Sequence, residues 1–262
     1  LATALTAWQM IRRFSATCRN WIPWPLLKLL LALNSNSALR STTMKSTQKP
    51  LQPSEASSNL SKESNNRGAV SHPLILDAPN GHLFVVHTKP EARPSQGTLL
   101  IAPPLAEEMN RSRTLIASLA RDLAGVGFET LLPDLTGTGD SSGLLENQRW
   151  QHWLDDMSFM ASWAATHCSL PLSVLGIRMG GLLAANLATQ PPIDSLILWH
   201  TPADGSTWLE HTKRQQLATK GRALGGKSPP GYRFHPALET DIAAQKLGSQ
   251  KLATEKVLLI DR

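Results

Sequence analysis

Short apolar runs alternate with stretches of helical periodicity along the last two thirds of the chain. One such run, His82-Leu-Phe-Val-Val-His87, follows the turn sequence Pro79-Asn80-Gly81. Because near-continuous apolar runs between turn residues suit strands buried on both faces of a sheet, each run predicts a strand. The predicted strands cover residues 82–87, 98–101, 128–132, 172–176, 195–199 and 256–261.

Between these runs, apolar residues recur every three or four positions, which predicts amphipathic helices. Leu115, Leu119 and Leu123 mark the first helix, which Gly125-Val-Gly127 can end. A Trp and Met stripe over residues 150–164 predicts the second helix, and a run rich in small residues over 180–188 predicts the third. Strands that alternate with helices predict an α/β fold, with a mostly parallel sheet and flanking helices.

The first 71 residues lack this alternation. Residues 1–43 mix basic residues with an apolar run, Trp24 to Leu33, that is too short for a membrane span of ~20 residues. This leader is either a signal peptide or sequence translated ahead of a start at Met44, and a poor cleavage site favours the second interpretation. Residues 44–71 are rich in Ser, Asn and Lys, so we expect a disordered linker before a domain at 72–262.

The net charge of +6 belongs to the leader and linker rather than to the domain. Residues 1–73 contain nine basic and two acidic residues, whereas the remainder contains 17 basic and 18 acidic residues. The domain therefore lacks the basic surface that a nucleic-acid partner requires. We expect no nucleic-acid partner, no stable membrane span and no cofactor, and no motif in the sequence predicts a metal site.

Ligands of open α/β sheets bind beyond the carboxyl ends of the strands, so the loops there carry the candidate chemistry. The loop after residues 98–101 contains the adjacent carboxylates Glu107 and Glu108. The loop after residues 128–132 contains Gly139-Asp-Ser-Ser-Gly143, which matches the G-x-S-x-G pattern of a serine nucleophile, with Ser141 at its centre. Because no helix is predicted directly after it, Ser141 is a candidate that we interpret as a turn residue.

The loop after residues 172–176 has the strand–turn–helix context that a nucleophile elbow requires. Its sequence is Gly176-Ile-Arg-Met-Gly180, which puts Arg178 at the position of the nucleophile. A guanidinium remains protonated and has no lone pair for attack, so Arg178 cannot be that nucleophile. Cys168 precedes the strand and is interpreted as an ordinary loop residue.

These segments resemble the α/β-hydrolase superfamily and, more closely, the exosortase A system-associated hydrolase 2 family. The motifs that carry the resemblance are Pro104-Leu-Ala-Glu-Glu-Met-Asn-Arg-Ser-Arg113, Asp134-Leu-Thr-Gly-Thr-Gly-Asp-Ser-Ser-Gly143, Trp150-Gln-His-Trp-Leu-Asp-Asp156 and Gly176-Ile-Arg-Met-Gly180. The resemblance implies a bacterial, cytoplasmic protein, associated with exopolysaccharide gene clusters and called a hydrolase because of its fold.

The resemblance does not restore a catalytic triad. Superfamily members follow the order nucleophile, acid, histidine, and Asp261 lies near where the acid would fall. Every histidine after Arg178 precedes the last predicted strand, so we expect a chain that is incomplete at its C-terminal end. Residues 203–250 fall where such proteins carry a cap.

Two functions remain open at this point. The first is a hydrolase that uses Glu107 or Glu108 as a base. The second is a catalytically silent binding or accessory protein in which Arg178 recognises the carboxylate or phosphate of an anionic ligand. In either case the partner is a small-molecule, acyl or peptide ligand. A third possibility is that Arg178 is structural and the pocket is empty. The candidate ligand-binding residues are Leu105, Glu107, Glu108, Arg178 and Met179. In every case, the cation at the start of a helix needs a compensating anion, so we expect Arg178 to contact Glu107 or Glu108.

Overall fold

A computed structural model describes residues 69–222, 232–254 and 256–260. The leader, all but the end of the linker, and the candidate Asp261 lie outside the described residues.

Seven strands form a single sheet in the described part of the chain. Their order across the sheet is β1-β2-β4-β3-β5-β6-β7; β1 and β2 pair antiparallel, β2 and β4 pair antiparallel, and the remaining neighbours are parallel. The predicted mostly parallel α/β fold is therefore confirmed. The strands are β1 (Ala69–Ala78), β2 (Gly81–Pro90), β3 (Thr98–Ala102), β4 (Glu129–Pro133), β5 (Leu172–Ile177), β6 (Ser195–Trp199) and β7 (Val257–Ile260).

The first strand is the main difference from the sequence prediction. β1 begins at Ala69, so residues 69–71, which the sequence assigned to the linker, pair with β2 through their backbones. Ser71 and His72 in this strand are exposed, and a strand at the edge of a sheet can keep polar side chains in water. Because its composition is half polar, this strand has no apolar run that would predict it.

Helices cover both faces of the sheet. Leu99 and Ile101 of β3 pack with α1 (Glu107–Gly125), whereas Leu100 between them packs with α2 (Trp150–His167) and α3 (Gly180–Leu187) on the other face. This alternation follows from the pleat of a strand, which sends successive side chains to opposite faces. The fully buried Trp153 and Met157 of α2 belong to the core, as the predicted Trp and Met stripe requires.

Two further helices, α4 (Gly205–Arg222) and α5 (Pro236–Ala243), lie in the region between β6 and β7. The two ends of this region are joined, because Gly205 N donates to Gln245 O at 3.0 Å and Leu247 N donates to Ala203 O at 2.8 Å. No helix in the described ranges has the length and apolar character needed to cross a bilayer.

Candidate functional site

The turn between β5 and α3 has the geometry of a tight elbow. Arg178 occupies this turn with a φ of +55°, a left-handed conformation that is strained for a residue with a side chain. Its backbone N–H donates to Trp199 O at 2.9 Å, which ties the turn to the end of the neighbouring strand β6. Directly behind it, the backbone N–H groups of Gly181 and Leu182 donate to Arg178 O and Met179 O, both at 3.0 Å, so the first turn of α3 closes back on the elbow.

Glycines on both sides of Arg178 permit this close packing. A Cβ atom on Gly180 would lie 2.2 Å from Ala102 O and 2.4 Å from Pro103 O. A Cβ atom on Gly176 would lie 2.4 Å from Gly181 Cα. Because backbone atoms cannot yield as flexible side chains do, the spacing of these glycines holds α3 against the end of β3.

Three of the five N–H groups of the Arg178 guanidinium donate to neighbouring oxygens. Its Nε and Nη2 atoms donate to Glu108 Oε1 at 2.9 and 2.7 Å, and Nη1 donates to His200 O at 3.3 Å. The other oxygen of this carboxylate, Glu108 Oε2, accepts from Trp208 Nε1 of α4 at 3.0 Å. The expected ion pair is thus present, and it joins the β3–α1 loop, the elbow and α4.

The structure separates the two adjacent carboxylates. Glu107 points away from the elbow and pairs with Arg111, one turn along α1, at 3.0 Å, and both side chains are at least half exposed. Helical geometry explains this difference, because successive residues point about 100° apart and only one of them can face the elbow.

Leu105 and Met179, the two apolar candidates for ligand contact, have buried side chains that are 1% and 0% exposed. Their side chains belong to the hydrophobic core, so only their backbone groups remain near the elbow.

Ser141 has a structural environment rather than a catalytic one. Its Oγ accepts from Phe84 N at 2.8 Å and donates to Asp134 O at 2.5 Å, so both hydroxyl functions serve backbone groups. The loop continues into a single 3-10 turn, Leu145–Asn147, instead of the α-helix that an elbow requires. The interpretation of Ser141 as a turn residue agrees with this geometry.

The loop around Ser141 is held by two further carboxylates. Asp134 accepts two hydrogen bonds from Arg113 Nη2, at 2.7 and 2.8 Å, and one from Asp140 N at 2.9 Å. Asp156 of α2 is fully buried and accepts from Thr136 N at 2.8 Å. Burial raises the pKa of the Asp156 carboxyl above its usual value.

The histidines after Arg178 do not assemble a triad with Ser141 or Arg178. His200 directly follows β6 with a φ of +49°, and its carbonyl oxygen accepts from Arg178. His235 caps α5 through an Nδ1 that accepts from Ala237 N at 3.1 Å, and His211 is exposed on α4.

A second cluster, which sequence reasoning missed, lies at the opposite end of the parallel strands. His87 of β2, Glu129 at the start of β4 and Cys168 after α2 converge there. Burial lowers the pKa of His87. Burial alone would raise the pKa of Glu129, but the hydrogen bonds that its carboxylate accepts from His87 and Ser169 outweigh the effect of burial, and the pKa of Glu129 is lowered. Burial also raises the pKa of the Cys168 thiol to about 11, so Cys168 is not a reactive thiolate. In the sequence, the only feature that points to this cluster is the charged Glu129 inside an otherwise apolar predicted strand.

The elbow and the sheet order together define the α/β-hydrolase class. The model of the family described as serine aminopeptidase, S33, matches residues 93–232, just over half of the chain. The chain belongs to this family. No curated protein matches it.

Solved structures that are similar to the chain share little sequence identity with it. A candidate hydrolase from Agrobacterium vitis S4 is similar at 17% identity and a TM-score of 0.51, over 73% of this chain and 78% of that one. A carboxyl esterase from Bacillus coagulans matches at 17% identity and a TM-score of 0.42, over 59% of this chain and 53% of that one. An α/β serine hydrolase without lid from Xanthomonas campestris matches at 20% identity and a TM-score of 0.47, over 72% and 83%.

Proposed function

We propose that this chain is a catalytically silent member of its hydrolase family that binds an anionic ligand at the elbow. Arg178 in the turn between β5 and α3, with its guanidinium on Glu108, is the observation that carries the proposal. An arginine there supplies positive charge and hydrogen-bond donors in place of the serine hydroxyl that attacks an acyl group. The elbow thus keeps the fold's binding position and loses its nucleophile.

The ion pair supports a ligand that carries a carboxylate or a phosphate. Arg178 donates from two nitrogens to a single oxygen of Glu108, whereas a free carboxylate or phosphate can accept on two separate oxygens. The positive end of the α3 helix dipole lies at the same place and favours negative charge there. Glu108 therefore acts as an internal competitor that a ligand anion displaces.

We further propose that residues 203–250 form a cap over this position. The hydrogen bond from Trp208 of α4 to Glu108 supports the assignment, since it links the region between β6 and β7 to the elbow. Displacement of Glu108 by a ligand would break this bond, so ligand binding and the position of α4 are coupled in the proposal.

The setting that we propose is the bacterial cytoplasm, in association with exosortase and exopolysaccharide gene clusters. The motif Ala106-Glu-Glu-Met-Asn110 and the elbow Gly176-Ile-Arg-Met-Gly180 support it, because both resemble the exosortase A system-associated hydrolase 2 family. Glu108 belongs to the first motif and Arg178 to the second, so the two motifs meet in one ion pair.

The alternative is a hydrolase in which Glu108 activates water. Membership in a family described as serine aminopeptidase favours it. The geometry opposes it, because three of the four lone pairs of the Glu108 carboxylate already accept hydrogen bonds, two from Arg178 and one from Trp208. A general base needs a free lone pair directed at the water.

Binding of hexanoate and of inorganic phosphate to the full chain, measured by calorimetry, tests the proposal. We expect Glu108→Gln to bind at least one of these anions about tenfold more tightly than the unchanged chain, because the competing charge is gone. Arg178→Gln should abolish that binding. Arg149→Gln is the matched control, since it removes an arginine from an exposed ion pair with Asp241 and should leave binding unchanged.

Equal affinity in the unchanged chain, Glu108→Gln and Arg178→Gln would refute the proposal. Turnover of p-nitrophenyl butyrate or alanine p-nitroanilide that disappears in Glu108→Gln would instead establish the hydrolase. A preference for hexanoate over phosphate, or the reverse, identifies which anion the elbow recognises.

A further inference from the structure

Three side chains with different metal-binding atoms meet at the end of the sheet that lies opposite the elbow. The Nε2 atom of His87 is 2.9 Å from Glu129 Oε2 and 3.9 Å from Cys168 Sγ, and the three ligand atoms all lie within 4.8 Å of one another. His87 and Glu129 are only 3% and 6% exposed. This cluster takes no part in the proposed function.

The arrangement is not that of a cysteine nucleophile with its base. In a catalytic relay, one ring nitrogen of the histidine faces the nucleophile and the other faces the acid. Here the same atom, His87 Nε2, faces both Cys168 and Glu129. The three groups therefore point at one place in space instead of forming a chain through the imidazole.

Convergence of this kind suits a metal ion. An imidazole, a carboxylate and a thiolate are ligands that zinc accepts together, and Cys168 supplies the thiolate by releasing its thiol proton to solvent when the ion binds. Three protein ligands leave the fourth position of the ion to water. We propose that His87, Glu129 and Cys168 form a binding site for Zn²⁺ or a divalent transition-metal ion with similar ligand preferences.

The distances are close to those that coordination requires. Zinc bond lengths place tetrahedral ligand atoms about 3.4–3.6 Å from one another. The separations of 2.9 Å and 3.9 Å from His87 lie on either side of this range. The carboxylate and the thiol lie within 4.8 Å of each other and have to approach as well, so metal binding requires side-chain shifts of up to about 1 Å. Cys168 is half-buried, which leaves a route for a water molecule to reach the fourth position.

Neighbouring residues hold two of the ligands in position. Ser169 Oγ donates to Glu129 Oε1 at 2.9 Å, so Oε2 remains directed at His87. The ring of Trp163 packs edge-on against the imidazole of His87, with ring centroids 5.9 Å apart. Hydrogen bonds to a ligating carboxylate are a recurrent support of metal sites in proteins.

The ion would join parts of the chain that are remote in sequence. Glu129 lies 42 residues and Cys168 lies 81 residues from His87, so the three ligands come together only in the folded chain. An ion that binds the folded state alone raises its stability. We therefore expect the ion to stabilise the fold by linking these elements at the amino-terminal end of the parallel strands.

Cobalt(II) titration of the full, untagged, chelator-treated chain tests the site, because a thiolate ligand gives cobalt a near-ultraviolet charge-transfer band. We expect one equivalent of Co²⁺ to produce the band and Zn²⁺ to abolish it by displacement. Saturating Zn²⁺ should raise the melting temperature by about 5 °C or more.

Two single-cysteine variants separate this site from adventitious binding. Cys168→Ser should lose the band and weaken zinc binding at least tenfold, whereas Cys18→Ser, which removes the other cysteine, should keep both. Ser169→Ala should weaken zinc binding by about tenfold, with an unchanged circular dichroism spectrum. Absence of one-to-one binding by the unchanged chain, or a band that persists in Cys168→Ser, would overturn the proposal.

Discussion

Two glycine-rich loops at the carboxyl end of the sheet have the same spacing of residues and opposite roles. The loop Gly139–Gly143 has a serine at its centre, and the turn Gly176–Gly180 has an arginine. In the first loop, the hydroxyl of Ser141 bonds to the backbone of Phe84 and Asp134. In the second, the guanidinium of Arg178 extends to Glu108 and is about one third exposed.

The difference shows that the G-x-S-x-G pattern does not by itself make a nucleophile elbow. Ser141 has the required hydroxyl, but it follows a loop and precedes a 3-10 turn. Arg178 has no nucleophilic atom, but it lies between a strand and an α-helix and has a positive φ. A pattern match therefore identifies the reactive loop only when the strand and the helix flank it directly.

The largest expected effect is on the packing of the Arg178 turn. Gly180→Ala places a methyl group 2.2 Å from Ala102 O, so we expect a loss of about 3 kcal/mol in the free energy of unfolding, measured with urea. Gly125→Ala is the control, because a Cβ there meets nothing within 4 Å, and it should change stability by less than about 1 kcal/mol. Equal stabilities for the two variants would show that the turn is not tightly packed.

A smaller effect is expected in the loop of Ser141. Ser141→Ala removes the acceptor of Phe84 N, and we expect it to cost about 1–2 kcal/mol without any change in ligand binding. Ser142→Ala removes only an exposed hydrogen bond to His82 O, so its effect should stay within about 0.5 kcal/mol. A change in ligand binding in Ser141→Ala that exceeds its effect on stability would contradict the structural role.

The smallest effect concerns Asp156, which anchors the same loop. Because its pKa is raised in the folded state, folding takes up a proton, and stability falls as pH rises from the usual carboxyl value of 3.8 through the raised pKa. Asp156→Asn removes this contribution. The stability of the unchanged chain relative to the variant should therefore decrease with rising pH in urea titrations, and a constant or growing difference would exclude the raised pKa.

Much of the fold was predictable because its strands are short and apolar. β6 was found with its bounds, and α2 was found from its Trp and Met stripe, since burial on one or both faces leaves a periodic trace in the sequence. The half-polar edge strand β1 left no such trace. Its pairing with β2 depends on backbone hydrogen bonds, which the sequence does not record.

The candidate site was predictable only in part. The context of Arg178 followed from the strand and helix patterns, and its partner was narrowed to Glu107 or Glu108. Which of the two carboxylates faces Arg178 depends on how α1 is rotated about its axis. The hydrogen bond from Trp208 to Glu108 depends on the position of α4, which the sequence does not give. The residues His87, Glu129 and Cys168 lie far apart in the sequence, so no sequence motif predicts that they form a cluster.

The central claim is that the elbow of this hydrolase fold has no nucleophile, and labelling with a fluorophosphonate tests it most directly. Such a probe is attacked by a serine that has a base in hydrogen-bond reach and an oxyanion hole. We expect no adduct on the full chain by mass spectrometry, and none on Arg178→Ser, because no histidine in the described part of the chain is placed as a base for the serine. An adduct mapped to Ser141 in the unchanged chain would contradict the account and make Gly139–Gly143 the reactive loop.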